Sequence, residues 1–138
     1  MQLPMVDPPP WFLSELSVES DSNIVVFDDD VSVHQVWDER FEVLQRKNNL
    51  EIHNISNPNR LQEWTQTHDL SRTTFLCDYE LLGQDKTGLD LIEELKLQDK
   101  AILVTSHSNE EGVLKRCEKL GIKCLPKNLI HLVPICEI

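Results

Sequence analysis

The sequence is short of positive charge: 13 lysines and arginines stand against 24 aspartates and glutamates in 138 residues, a formal charge of -11. A nucleic acid is bound by neutralising its phosphates with Lys and Arg, so direct contact with one is not expected. Close cysteine pairs are also missing. Cys77, Cys117, Cys124 and Cys136 are scattered, and three of them lie in apolar, strand-like runs where a free thiol behaves as a small hydrophobe. This pattern implies a reducing cytoplasm and no zinc site. No apolar run approaches the ~20 residues needed to cross a bilayer, and the N-terminus has neither the basic start nor the apolar core of a signal peptide. The expectation is a cytoplasmic domain without direct membrane contact, whose parent chain could still be anchored in the inner membrane. A chain of this length is one domain and buries roughly two thirds of the surface its unfolded form exposes.

What the sequence does contain is a set of short apolar runs, NIVVF (23–27), TTFLC (73–77), AILVT (101–105) and IKCLP (122–126), with a half-polar LEIHNI at 50–55. Short continuous runs of this kind suit strands buried on both faces of a parallel sheet, and LEIHNI suits an edge. Helical periods lie between them. Val33, Val36/Trp37, Phe41 and Leu44 follow one helical face, with Ser32 and Gln35 spaced as a capping box. Asn57-Pro58 opens a helix carrying Leu61 and Trp64, and Leu89, Ile92 and Leu95 follow Gly88. Ser108 and Glu111 are spaced as a further capping box, and Gly121 is placed to stop the last helix in a left-handed conformation. The alternation predicts an α/β fold with a parallel sheet, in which ligands gather beyond the carboxyl ends of the strands.

Those strand ends carry chemistry. Asp28, Asp29 and Asp30 follow the first strand, Asp78 the third, Thr105 and Ser106 the fourth and Lys127 the fifth. Carboxylates a few ångströms apart raise one another's pKa unless a cation compensates them. Oxygens of Asp28, Asp29 and Asp78, with the main-chain carbonyl of Glu80, can form a hard-oxygen cage suited to Mg²⁺.

Over about residues 23–127 the chain resembles the receiver domain of two-component response regulators. The resemblance rests on the acid pair Asp28 and Asp29, Asp78 in FLCDYELL, Thr105 in LVTSHS and Lys127 in CLPK, with 22 residues from Thr105 to Lys127. It implies a flavodoxin-like, three-layer fold with a five-stranded parallel sheet of order 2-1-3-4-5. It also implies that a histidine kinase transmitter or phosphotransfer domain donates a phosphoryl group from phosphohistidine to Asp78. Mg²⁺, Lys127 and the Thr105 hydroxyl would then take the phosphoryl oxygens, and Thr105 would act as the switch. Such a domain is a phosphoacceptor rather than an enzyme. Glu80 and His107 are expected to modulate the phosphoaspartate, whereas His34, His53, His68 and His131 are expected as surface or helix residues.

Three departures from that family bear on the expectations. The loop after Asp78 is longer than usual, Cys124 replaces the usual aromatic three positions before the lysine, and only eleven residues follow Lys127, interrupted by Pro134. A full fifth helix does not fit, so this element is expected to be absent or truncated. Leu129, Ile130, Leu132, Val133 and Ile135 are expected to lie extended over the face that such a helix would cover, helped by WFLSEL (11–16), and any part left bare could form a homodimer. At the N-terminus QLP and MVDPPPWF resemble the last strand and exit linker of a histidine-kinase ATP-binding domain. That reading divides the chain into a linker at 1–22 and a receiver at 23–138, the C-terminal receiver of a hybrid sensor histidine kinase. Two rivals remain. A pseudo-receiver would dock to a kinase without phosphorylation, and a haloacid-dehalogenase-like phosphatase would use Asp28-x-Asp30, although only Glu137 follows Lys127 to complete its acid set.

Overall fold

The computed structural model describes residues 9–138, so the QLP stretch lies outside the described residues. Its elements run β1 (Leu16–Val18), β2 (Asn23–Phe27), α1 (Val31–Asn48), β3 (Glu51–Ile55), α2 (Pro58–Thr67) and β4 (Thr73–Asp78). They continue with α3 (Gly88–Glu94), β5 (Ala101–Thr105), α4 (Glu111–Leu120), β6 (Lys123–Pro126), a 3-10 turn (Lys127–Leu129) and β7 (Ile135–Glu137). Among the described residues no helix is long and apolar enough to cross a membrane.

The apolar runs form a parallel sheet of order β3-β2-β4-β5-β6, which is the expected 2-1-3-4-5 once the short β1 is set aside. The half-polar β3 stands at one edge, where one side of the strand needs no partner. Side chains alternate between the faces, as a strand's two-residue period requires. Val25, Phe27, Phe75, Cys77 and Leu103 pack under α2, α3 and α4, while Ile24, Val26, Leu76, Val104 and Leu125 pack under α1 and the chain termini.

Two helix starts differ from the sequence expectation. Asp30, not Ser32, is the N-cap of α1, and its carboxylate accepts from the Ser32 N–H at 2.9 Å. A carboxylate reaches the free amide two residues on as well as a hydroxyl does, so the earlier acid took the position. At α4 the N-cap is Glu110 without a side-chain bond, and the Ser108–Glu111 box does not form. The box that does form is Thr87–Asp90 at α3, where each side chain meets the other's backbone N–H. Gly121 ends α4 at φ +73°, as expected.

The face without a fifth helix is covered from both ends of the chain. Residues 11–13 run along β6: the Cys124 N–H donates to the Trp11 carbonyl at 2.7 Å and the Leu13 N–H to the Cys124 carbonyl at 3.0 Å. β1 and β7 then pair in parallel as a two-stranded ribbon, Leu16 opposite Ile135. Leu13, Leu16, Val18, Ile130 and Val133 are buried in this layer. The tail is extended only at β7. Residues 127–132 turn tightly, held by the Arg40 guanidinium on α1, which donates to the carbonyls of Ile130 (2.9 Å) and Val133, and Leu132 is left 72 % exposed. Pro134 lacks an N–H and cannot extend this turn into a longer helix. The apolar face on which a homodimer was expected is therefore largely occupied by the chain itself.

Candidate functional site

Strand register builds the site. Phe27 lies opposite Cys77, so the next residues, Asp28 and Asp78, emerge side by side, and Thr105 lies opposite Pro126, the residue before Lys127. Lys127 Nζ sits 3.1 Å from Asp78 Oδ1 and 3.3 Å from Asp28 Oδ2. Oxygens of Asp28, Asp29 and Asp78 all lie within 4.8 Å of one another. Asp28 and Asp78 are almost fully buried, and Asp78 Oδ2 has no hydrogen-bond partner.

The electrostatics follow from this burial. Loss of solvent, followed by the negative charge of Asp28, pushes the Asp78 carboxyl up to about 6, against the opposing pull of Lys127. Asp28 is raised mainly by burial, with the Asp30 N–H and Lys127 working the other way. Burial works to lower Lys127, but the two carboxylates outweigh it and hold the ammonium above its ordinary value. Asp30 is tied to Ser32, which lowers it, and faces away into the helix cap. It takes no part in the cluster.

The β4–α3 loop crosses the mouth of this pocket. The Leu82 N–H donates to Asp29 Oδ2 at 3.0 Å, and the Gly88 N–H returns to the Tyr79 carbonyl at 2.8 Å. Gly88 is required by close approach, since a Cβ there would stand 1.8 Å from the Asp78 carbonyl oxygen. Thr105 is fully buried and its hydroxyl oxygen accepts from the His107 N–H at 2.8 Å. The His107 ring meets Glu80 (3.2 Å) and Glu110 (2.5 Å), and the bond to Glu80, more than the charge of Glu110, raises it above its ordinary value.

Two participants escaped the sequence reading. His34 is a helix residue, as expected, but it is buried and bonds the Asp28 carbonyl at 2.7 Å. Its signal was a polar residue on the inward stripe His34, Trp37, Phe41. Leu82 bonds through its backbone, which no side-chain pattern reveals. His53 lies on β3, and His68 is stacked on Trp64 at 4.1 Å.

An acid cluster and a lysine at the carboxyl rim of an open parallel sheet define a domain built to hold charge at its strand ends. Solved structures narrow the fold. The receiver domain of the Francisella response regulator 1452 matches at 18 % identity, over 78 % of this chain and 85 % of that one, with a TM-score of 0.60. Chemotaxis protein CheY4 of Vibrio cholerae matches at 11 % identity over 75 % and 83 % (TM-score 0.59), and the RcsB response regulator of Salmonella typhimurium at 17 % over 81 % and 57 % (TM-score 0.66). The chain thus has the fold of response-regulator receiver domains. No protein-family model and no curated protein matches it.

Proposed function

We propose that the chain is a phosphoacceptor receiver domain of a two-component phosphorelay, with Asp78 as acceptor. The observation that carries this reading is the bridge of Lys127 between Asp78 and Asp28 beside a third carboxylate. The donor set fits a hard divalent ion such as Mg²⁺: oxygens only, with one buried Asp78 oxygen unpartnered. Asp28, Asp29, Asp78 and the main-chain carbonyl of Glu80 would hold it, and when bound it neutralises charge on phosphoryl oxygens. The chain's own groups do the rest. A carboxylate oxygen of Asp78 attacks phosphorus in line, the P–N bond of the phosphohistidine breaks, and the departing imidazole keeps the electron pair and takes a proton. Lys127 takes one phosphoryl oxygen, and the Thr105 hydroxyl turns from the His107 N–H to donate to another. Glu80 and His107 flank the entry and govern how readily water reaches the product.

On this reading the donor is a histidine kinase transmitter or a phosphotransfer domain, and the acidic surface takes no nucleic acid. The place of the domain is the cytoplasmic C-terminal receiver of a hybrid sensor histidine kinase, with residues 1–22 leading from the kinase and their stretch 11–18 folded onto the receiver. A pseudo-receiver is the second reading, favoured by the 2 % exposure of Asp78 and the Leu82–Asp29 bond across the mouth. Incubation with Mg²⁺ and acetyl phosphate, read by mass spectrometry, separates the two. A receiver gains one acid-labile phosphoryl group that Asp78→Asn abolishes, and a pseudo-receiver gains none.

A further inference from the structure

Resting on that reading, we propose that His34 is a positioning residue of the acid pocket, holding the Asp28–Asp29 peptide so that both carboxylates face the cation position. His34 lies in the first turn of α1 and is 8 % exposed. Its Nε2 is 2.7 Å from the Asp28 carbonyl oxygen and its Nδ1 is 2.9 Å from Asn54 Oδ1 on β3. The Asn54 amide nitrogen reaches both carboxylate oxygens of Asp38, at 3.3 and 3.4 Å. An amide nitrogen donates to a carboxylate and an amide oxygen cannot, so Asp38 sets the amide with its oxygen toward the ring. Nε2 then lies within bonding distance of the Asp28 carbonyl and Nδ1 within bonding distance of the Asn54 amide oxygen. Asp38, Asn54 and His34 form a brace from the surface of α1 and the edge strand to the floor of the pocket.

The brace acts on the one polar atom of Asp28 that nothing else in the site holds. The Asp28 N–H donates to the Ile55 carbonyl (3.1 Å), Oδ1 accepts from the Asp30 N–H (2.9 Å) and Oδ2 faces Lys127 (3.3 Å). The carbonyl lies beyond the last register pair, Phe27 with Ile55, where the ladder ends. A peptide is planar, so fixing this carbonyl fixes the orientation in which the chain enters Asp29. A single ring therefore orients two adjacent carboxylates. An apolar ring of similar size would fill the same space and leave the peptide plane free.

Calorimetric Mg²⁺ titration of the full chain without phosphodonor, beside acetyl-phosphate labelling at varied Mg²⁺, tests the role. His34→Phe is expected to weaken Mg²⁺ about tenfold, as loss of partners around metal ligands does, and to raise the Mg²⁺ concentration of half-maximal labelling in step. His34→Gln, which keeps a donor near Nε2, is expected to recover most of the affinity. Equal affinity in wild type and His34→Phe, or a loss that Gln does not recover, overturns the proposal. If His34→Phe does not fold, Asn54→Ala at its exposed position decides: weakened Mg²⁺ binding supports the brace and unchanged binding overturns it. A wild-type chain that binds no Mg²⁺ overturns both this and the phosphoacceptor reading. One that binds Mg²⁺ but gains no phosphoryl overturns only the latter, and the calorimetric comparison still decides the part of His34.

Discussion

On one face of the sheet three helices lay Leu61, Trp64, Leu89, Ile92 and Cys117 over Val25, Phe27, Phe75 and Leu103; on the other, α1 shares the cover with the β1–β7 ribbon and the turn after Lys127. A parallel sheet requires burial of both faces but not burial by helices. Leu16 and Val18 on a strand are as buried as Leu61 and Ile92 on helices. The rim site belongs to neither face. Its groups leave the strand ends in register, so the covering layer can change beneath it while the pocket keeps its form.

Phe41→Ala, on the inner face of α1, is expected to cost about 3–5 kcal/mol in urea unfolding through the cavity it leaves. Leu16→Ala in the ribbon is expected to cost about 3 kcal/mol; a loss below about 1 kcal/mol would make the ribbon a peripheral strap rather than a core layer.

The rim should answer to pH where the faces do not. In the folded chain Asp78 holds its proton up to about pH 6, above its unfolded value of 3.8, so its contribution to stability is greatest below about pH 4 and is lost as pH rises through 6. Unfolding in a metal chelator at pH 4 and 7 should show Asp78→Asn gaining on wild type by up to roughly 3 kcal/mol between them. A flat difference would mean the carboxylate is ionised at no cost. Gly88→Ala is expected to cost about 2 kcal/mol and to weaken Mg²⁺ binding, since the added carbon meets the Asp78 backbone. Leu132→Ser, on the exposed turn, should change stability by less than about 0.5 kcal/mol, and a larger loss would show that this turn is covered in solution.

Much of this architecture was legible before any coordinates. The runs NIVVF, TTFLC and AILVT and the half-polar LEIHNI sort into central and edge strands because hydrophobic period and burial are the same fact seen twice. Asp28, Asp78 and Lys127 could be read as neighbours because each follows a strand, and parallel strands end on one rim. The helix caps were harder. Asp30, Ser32 and Gln35 offer competing caps within one turn, and only the backbone conformation at Asp30 chose between them.

By itself the sequence determined the order of strands and helices, the edge, and which acids, hydroxyl and ammonium group lie at the carboxyl ends, since these depend on local period and on strand polarity. Only the tertiary structure decided that His34 turns inward to the Asp28 carbonyl, that the Leu82 N–H closes on Asp29, and that β1 and β7, more than a hundred residues apart, meet as a ribbon. These are contacts made by backbone atoms or by segments far apart in the chain, and no periodicity along a sequence encodes which of them will pair.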